Sequence, residues 1–184
     1  MINETDRKAL LVLARQALEA RVKRERAPTI DAVGVFALRR GAFVTIHHRS
    51  SLRGCLGRLT VDAPLGHTIA HLGAAVADSD SRFSAVGALE LPAIQLEISV
   101  LTPQEEVGAI EAIEVGRHGL IIENGYARGL LLPQVAVEHA WDRETFLAHT
   151  CLKAGLPADA WKRGARILAF EAEVFGESAA AAAP

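Results

Sequence analysis

The stretch Ser51-Leu52-Arg53-Gly54-Cys55-Leu56-Gly57-Arg58 sets a cysteine between two glycines, with an arginine outside each. The thiolate is the nucleophilic form of cysteine, and nearby cations favour it, so Arg53 and Arg58 could activate Cys55. Gly54 and Gly57 permit backbone angles, or close approach of a ligand, that a side chain forbids. The amides of residues 55–57 could then converge on an anion or an oxyanion. Packing is the competing reading: free cysteine is among the most buried residue types, and flanking glycines can serve tight strand contacts. On a strand, Arg53, Cys55 and Gly57 would share one face, opposite Gly54, Leu56 and Arg58.

Histidines are the natural partners of a thiol in acid–base chemistry. His47 and His48 lie just upstream and could approach Cys55 across a hairpin, but alternation lets only one of them face it. His67 and His71, at i and i+4, share one helical face. Only Asp78 could join them as a ligand, almost three turns from His67, so no metal site is expected. Arg82 fits anion binding or a salt bridge to Asp80 or Glu90. Glu90 itself suits orienting a histidine or pairing with an arginine. Gln134 and Glu138 read as first-turn helix residues. Trp141 and Trp161 read as packing anchors and Cys151 as core, because Phe146, Leu147, Thr150, Cys151 and Ala154 form one helical stripe.

Several elements must position these groups. Leu11, Ala14, Leu18 and Val22 predict a helix from Thr5 to about Arg24, ended by Pro28. Val33, Val35 and Ala37, with Phe43 and Thr45, predict a hairpin around Arg39-Arg40-Gly41. Pro64 should start a helix to about Asp78, whose small residues Gly66, Ala70, Gly73, Ala74 and Ala77 allow another element to come close. Residues 94–100 alternate with period two and predict a strand. A hairpin is expected over 118–132, centred on Glu123-Asn124-Gly125, because Asn-Gly tolerates a type I′ turn. Two helices should follow Pro133, the second running from near Asp142 to Gly155. Arg166–Phe175 predicts one last strand, and 177–184 an alanine-rich, mobile tail. Strands in hairpins, not alternating one-for-one with helices, predict an α+β fold: a mostly antiparallel β-sheet packed with helices.

The chain has 184 residues, half of them hydrophobic, enough to bury a core in one domain or two small lobes. A net charge of −2 and only 5% aromatic residues give no drive toward nucleic acid or an anionic membrane. No apolar run approaches the roughly 20 residues that span a bilayer, and the start is polar, so a cytoplasmic protein is expected. Two cysteines in a reducing compartment argue against a disulfide, and two are too few for a cysteine-based zinc site. No Walker loop, dinucleotide-binding glycine fingerprint, nucleophile elbow or HExxH is present, and no cofactor is expected.

"LRGCLG" closely resembles the L-R-G-C-I-G signature of the AMMECR1 domain family, also called protein A of the AmmeMemoRadiSam system. "DSRF" at 80–83, "ELPAIQLEISVLT" at 90–102, "VGRHGLIIENG" at 115–125, "LLPQVAVEHAWD" at 131–142 and "KAGL" at 153–156 follow in the family's order. Leu56 replaces the usual isoleucine, and the proline often found soon after R-F is absent. The resemblance implies a single two-lobed domain over 1–178, the larger lobe containing both termini; the alanine-rich composition of 179–184 predicts a flexible tail after it. It also points to His118, in Gly116-Arg117-His118-Gly119, as the partner of Cys55. Together these residues suggest a cysteine-dependent enzyme acting on a small anionic or carbonyl substrate. Cys55 and His118 would be catalytic, with Arg53, Gly54, Gly57 and Arg82 binding. The family implies a pathway shared with Memo-type and radical SAM proteins. The alternative is a non-catalytic adaptor for those partners, suggested by the small-residue face of helix 64–78.

Overall fold

Asn3 begins the first element in the computed structural model, which describes residues 1–59 and 62–177. Its side-chain oxygen accepts the Asp6 N–H at 2.9 Å and so caps α1 (Glu4–Lys23), satisfying an amide that a helix start leaves without an internal partner. Acidic residues in the first turn and Arg21 and Lys23 in the last complement the helix dipole. Arg24, at φ 58, ends the helix before Pro28 is reached.

Residues 33–37 depart from the expected strand. Gly34, at φ 55, opens a 3₁₀ turn over Gly34–Ala37, and the Leu38 carbonyl then accepts the Leu65 N–H at 2.7 Å. The segment serves the start of the next helix, and the hairpin forms one strand later. It joins β1 (Ala42–His48) to β2 (Ser51–Arg58) through Arg49 and Ser50, both left-handed at φ 49 and φ 67. Two positive φ values in a two-residue turn match the twist of the flanking strands.

The helix α2 (Leu65–Ala75) packs its two glycines inward. A Cβ on Gly73 would stand 2.7 Å from the Ala14 carbonyl oxygen of α1. One on Gly66 would stand 2.9 Å from Ile30 Cγ2 and Phe36 Cβ. These gaps are filled from within. The predicted alternation appears in β3 (Ile94–Leu101): Ile94, Leu96, Ile98 and Val100 are buried, while Gln95, Glu97 and Ser99 are half-buried. With β1 and the two helices they enclose one core.

A short β4 (Glu105–Glu106) precedes the second hairpin, β5 (Gly119–Asn124) and β6 (Ala127–Leu131). Its turn is Gly125-Tyr126, one residue later than expected. Only Gly125 is left-handed, at φ 60, which is the II′ pattern instead of I′. Then come α3 (Pro133–Glu138) and α4 (Arg143–Lys153). Asp142 caps α4 by accepting the Thr145 N–H at 2.8 Å. Phe146, Leu147 and Cys151 of α4 form a second core with Leu120 and Ile122 of β5.

The last expected strand is two: β7 (Arg166–Phe170) and β8 (Ala172–Gly176). Glu171 breaks it, because its N–H and C=O are both bonded to Thr102, at 2.8 Å each. The strands pair as β2-β1-β3-β8 and β4-β7-β5-β6, two four-stranded sheets with antiparallel hairpins, so the fold is α+β. Two compact units result, one from Met1–Leu101 with 173–177 and the other from Thr102–Ala172. Glu177, expected to open a mobile tail, is held by Arg15 and by the Leu96 N–H at 2.9 Å. Residues 178–184 lie outside the described residues.

Candidate functional site

The first four residues of interest lie on β2, an edge strand. Gly54 is buried on the core side, where a Cβ would crowd Val76 and Ile46 at 3.1–3.2 Å. Cys55 therefore points to the other face, away from α2. It is half-buried rather than sealed in the core. Opposite it on β1 is Thr45. The Cys55 N–H points off the sheet edge, which makes Thr45–Cys55 a pair without mutual backbone bonds, the class whose side chains stand closest. Accordingly the Thr45 hydroxyl donates to the Cys55 Sγ at 3.3 Å. Thr45 carries no motif and was missed by sequence reasoning; only the hairpin register reveals it.

The acceptor of the Cys55 N–H is Asp80, whose Oδ2 lies 2.9 Å away. The same carboxylate takes Arg82 in a forked pair, Oδ1 to Nε at 2.9 Å and Oδ2 to Nη2 at 2.8 Å, and accepts the Arg82 N–H at 3.2 Å. Arg82 above all, then the two backbone N–H groups, hold the Asp80 carboxyl well below the usual carboxylate range, although burial opposes this. In turn Asp80, through its hydrogen bonds and charge, raises the Arg82 guanidinium. Since the Cys55 N–H is occupied by a carboxylate, it does not serve an oxyanion, contrary to the cradle expected over 55–57.

Arg53 leaves the strand's regular alternation. The β1–β2 register shifts between Ile46 and His47, so that Gly54 faces Ile46, Leu52 faces His47, and Arg53 is the extra residue of a bulge. Its guanidinium is spent on protein partners: Nε and Nη2 on Glu90 at 2.8 and 3.1 Å, Nη1 on the Ser84 carbonyl at 2.8 Å, Nη2 on the Ala85 carbonyl at 3.3 Å. Glu90 also accepts the Gly87 N–H at 2.8 Å. Arg53 first, then that N–H, hold the Glu90 carboxyl below its ordinary range, with a smaller contribution from His48. Arg53 thus fixes the 84–90 segment beside β2. Gly57 faces Phe43 in register, and a Cβ there would stand 2.0 Å from Phe43 Cδ1, so the ring lies directly over the glycine.

The histidines divide. His47 shares the face of Thr45, whereas His67 and His71 are exposed on α2. Among the described residues no group of three or more His, Cys, Asp or Glu is placed to hold a metal ion. His118 belongs to the other unit. Its Nδ1 accepts the Glu114 N–H at 3.0 Å, and its Nε2 lies 3.9 Å from a Glu171 oxygen. A neutral ring accepting at Nδ1 carries its hydrogen at Nε2. So arranged, His118 offers no free lone pair for a thiol proton. It lines a cavity of about 340 Å³ with Thr102, Phe170, Glu105 and Glu171. Cys151 is fully buried in the second core, and burial pushes its thiol up.

Comparison with known proteins agrees over most of the chain. The AMMECR1 family model matches residues 11–175. A protein of Methanosarcina acetivorans is 40% identical over 96% of this chain and 94% of its own length. One from Methanocaldococcus jannaschii is 45% identical over 78% of this chain and 76% of its own. The crystal structure of an uncharacterized protein from Pyrococcus horikoshii superposes with a TM-score of 0.76 at 40% identity, covering 92% of this chain and 90% of that one. The chain belongs to the AMMECR1 family.

Proposed function

We propose that the protein is a cysteine-dependent enzyme acting on a small anionic carbonyl compound, with Cys55 as nucleophile and Arg82 as the anchor for the anion. The observation that carries this reading is a half-buried thiol that accepts the Thr45 hydroxyl, on a residue whose N–H shares the Asp80 carboxylate with Arg82. The hydrogen bond that Thr45 donates orients the sulfur on the face of the sheet away from α2. In the reaction Sγ gives up its hydrogen to water and forms a bond to the carbonyl carbon. The carbonyl π pair moves onto oxygen, which takes a proton back from water, so charge balances. By strand alternation the Gly57 N–H points off the same edge as the Cys55 N–H, and it is the amide of the signature left for that oxygen. Arg53 and Gly54 support the site by holding its frame and do not bind substrate. His118 is not assigned the base.

Family membership supports placing the reaction beside Memo-type and radical SAM proteins. Gly66 and Gly73, two of the small residues that suggested an adaptor role, are packed against Phe36, Ile30 and Ala14. The test is native-state alkylation with iodoacetamide. One label per chain is expected, at Cys55, abolished in Cys55→Ser, with Cys151 reacting only on unfolding. Glyoxylate, a small anionic aldehyde, should slow the labelling saturably. A native Cys55 that resists alkylation, or labelling indifferent to glyoxylate, overturns the reading.

A further inference from the structure

We infer that Asp80 is the positioning residue of this site, holding the thiol-bearing edge of β2 and the Arg82 guanidinium on one carboxylate, an assignment that rests on the reading of Cys55 and Arg82 as one site. The two groups it joins come from separate segments. Cys55 is on the edge strand, and Arg82 lies in the irregular stretch after α2. The Asp80 side chain is 6% exposed, whereas that of Arg82 is 58% exposed. A long side chain so open to water keeps one direction only when it is tethered. The tether is the forked pair on Nε and Nη2.

That pairing has a chemical consequence. It occupies one edge of the planar guanidinium and leaves the Nη1 side, where Arg82 makes no further hydrogen bond among the described residues. The Phe83 ring backs the guanidinium at 5.4 Å. A second carboxylate can therefore meet Arg82 end-on, through Nη1 and the remaining Nη2 hydrogen. Meanwhile the bond from Oδ2 to the Cys55 N–H, at 2.9 Å, holds the strand at the residue that carries the sulfur. Asp80 also accepts the Arg82 N–H two residues on, so its own turn is built by the same oxygens. With four hydrogen bonds accepted and its charge matched, it is not placed to act as a base.

The experiment compares Cys55 modification by iodoacetate, an anion, with iodoacetamide, its neutral analogue, in the full chain. The rate ratio reports the cation held near sulfur. Arg82→Gln should lower it by about fivefold, the effect of removing one partly screened positive charge. Asp80→Asn also removes a negative charge beside Cys55, so it is read by adding Arg82→Gln: the second substitution should then change the ratio by less than about twofold, because the neutral amide no longer fixes the guanidinium. Asp80→Glu keeps the charge but is one methylene too long to serve both groups. It should give an intermediate ratio, and it carries the test if Asp80→Asn does not fold. An Arg82→Gln effect as large in the Asp80→Asn background as in wild type, or an unchanged ratio in Asp80→Glu, overturns the inference. Hydrogen exchange of the Arg82 Nε–H by nitrogen-15 NMR decides it independently. Exchange should accelerate at least about tenfold in Asp80→Asn, and unaltered protection overturns it. If wild-type Cys55 proves inert to both reagents, the nucleophile reading falls while the Nε–H measurement still decides the role of Asp80.

Discussion

Gly129 lies on β6 under the end of α4, and replacing it with alanine tests how tightly the second unit is packed. The added methyl would stand 2.2 Å from the Ala154 N, 2.6 Å from the Ala154 Cα and 2.6 Å from the Lys153 carbonyl carbon. Nonbonded heavy atoms sit comfortably at about 3.5 Å, so strand and helix must part by roughly 1 Å. The obstructing atoms are backbone and cannot rotate aside. Overpacking a core costs about 1–3 kcal/mol, and a backbone obstruction belongs at the upper end, about 3 kcal/mol. The helix that must move carries Phe146, Leu147 and Cys151, all at 0% exposure. Openings that bring the Cys151 thiol to water should therefore become about 150-fold more frequent, at a factor of ten per 1.36 kcal/mol. Labelling Cys151 with iodoacetamide at low reagent concentration measures that frequency, with Cys55, in the other unit, as internal reference. The melting temperature should fall by roughly 6–12 °C. Gly108→Ala is the control, because nothing lies within 4 Å of the added methyl there. It should change stability by less than about 0.5 kcal/mol. Cys151 labelling in Gly129→Ala within about threefold of wild type would refute the packing argument.

Arg53→Gln should cost about 2–3 kcal/mol in chemical denaturation, since it strands Glu90 and two carbonyls that Arg53 now satisfies. Adding Glu90→Gln should cost much less than its own single effect, and strict additivity would show that the pair is not coupled. Asp80 has a folded-state pKa below its unfolded value of about 3.9, so the stability it confers is fully present above that pH and declines as pH falls below it. The stability gap between wild type and Asp80→Asn should be flat from about pH 5 to 8 and shrink below about pH 4. A gap that widens on acidification would contradict the sign.

Local signals in the chain read well. The period-two pattern of 94–100, the Asp142 start and Gly155 end of α4, and the Pro64 start of α2 each depend on neighbours a few residues apart, and each element formed there. Where a residue's fate depended on distant partners, reading the chain failed. Val33, Val35 and Ala37 alternate like a strand, but Gly34 and the bond from the Leu65 N–H to Leu38 decide otherwise. Arg166–Phe175 is continuous in pattern, yet two bonds to Thr102, some 69 residues away, break it at Glu171.

The same division governs the site. By itself the sequence determined the family, the α+β class and the glycine-flanked thiol on an extended segment, because short motifs and residue periodicity suffice for these. Tertiary structure alone decided which charges meet: Arg53 is consumed by Glu90, 37 positions on, while Asp80, 25 positions from Cys55, binds its amide and aims Arg82. Carboxylates and guanidiniums are promiscuous partners, and nothing in their order along a chain says which pair will be brought within 3 Å. Register and the path of the segment after α2 settle that, and both emerge only when the sheet and helices pack.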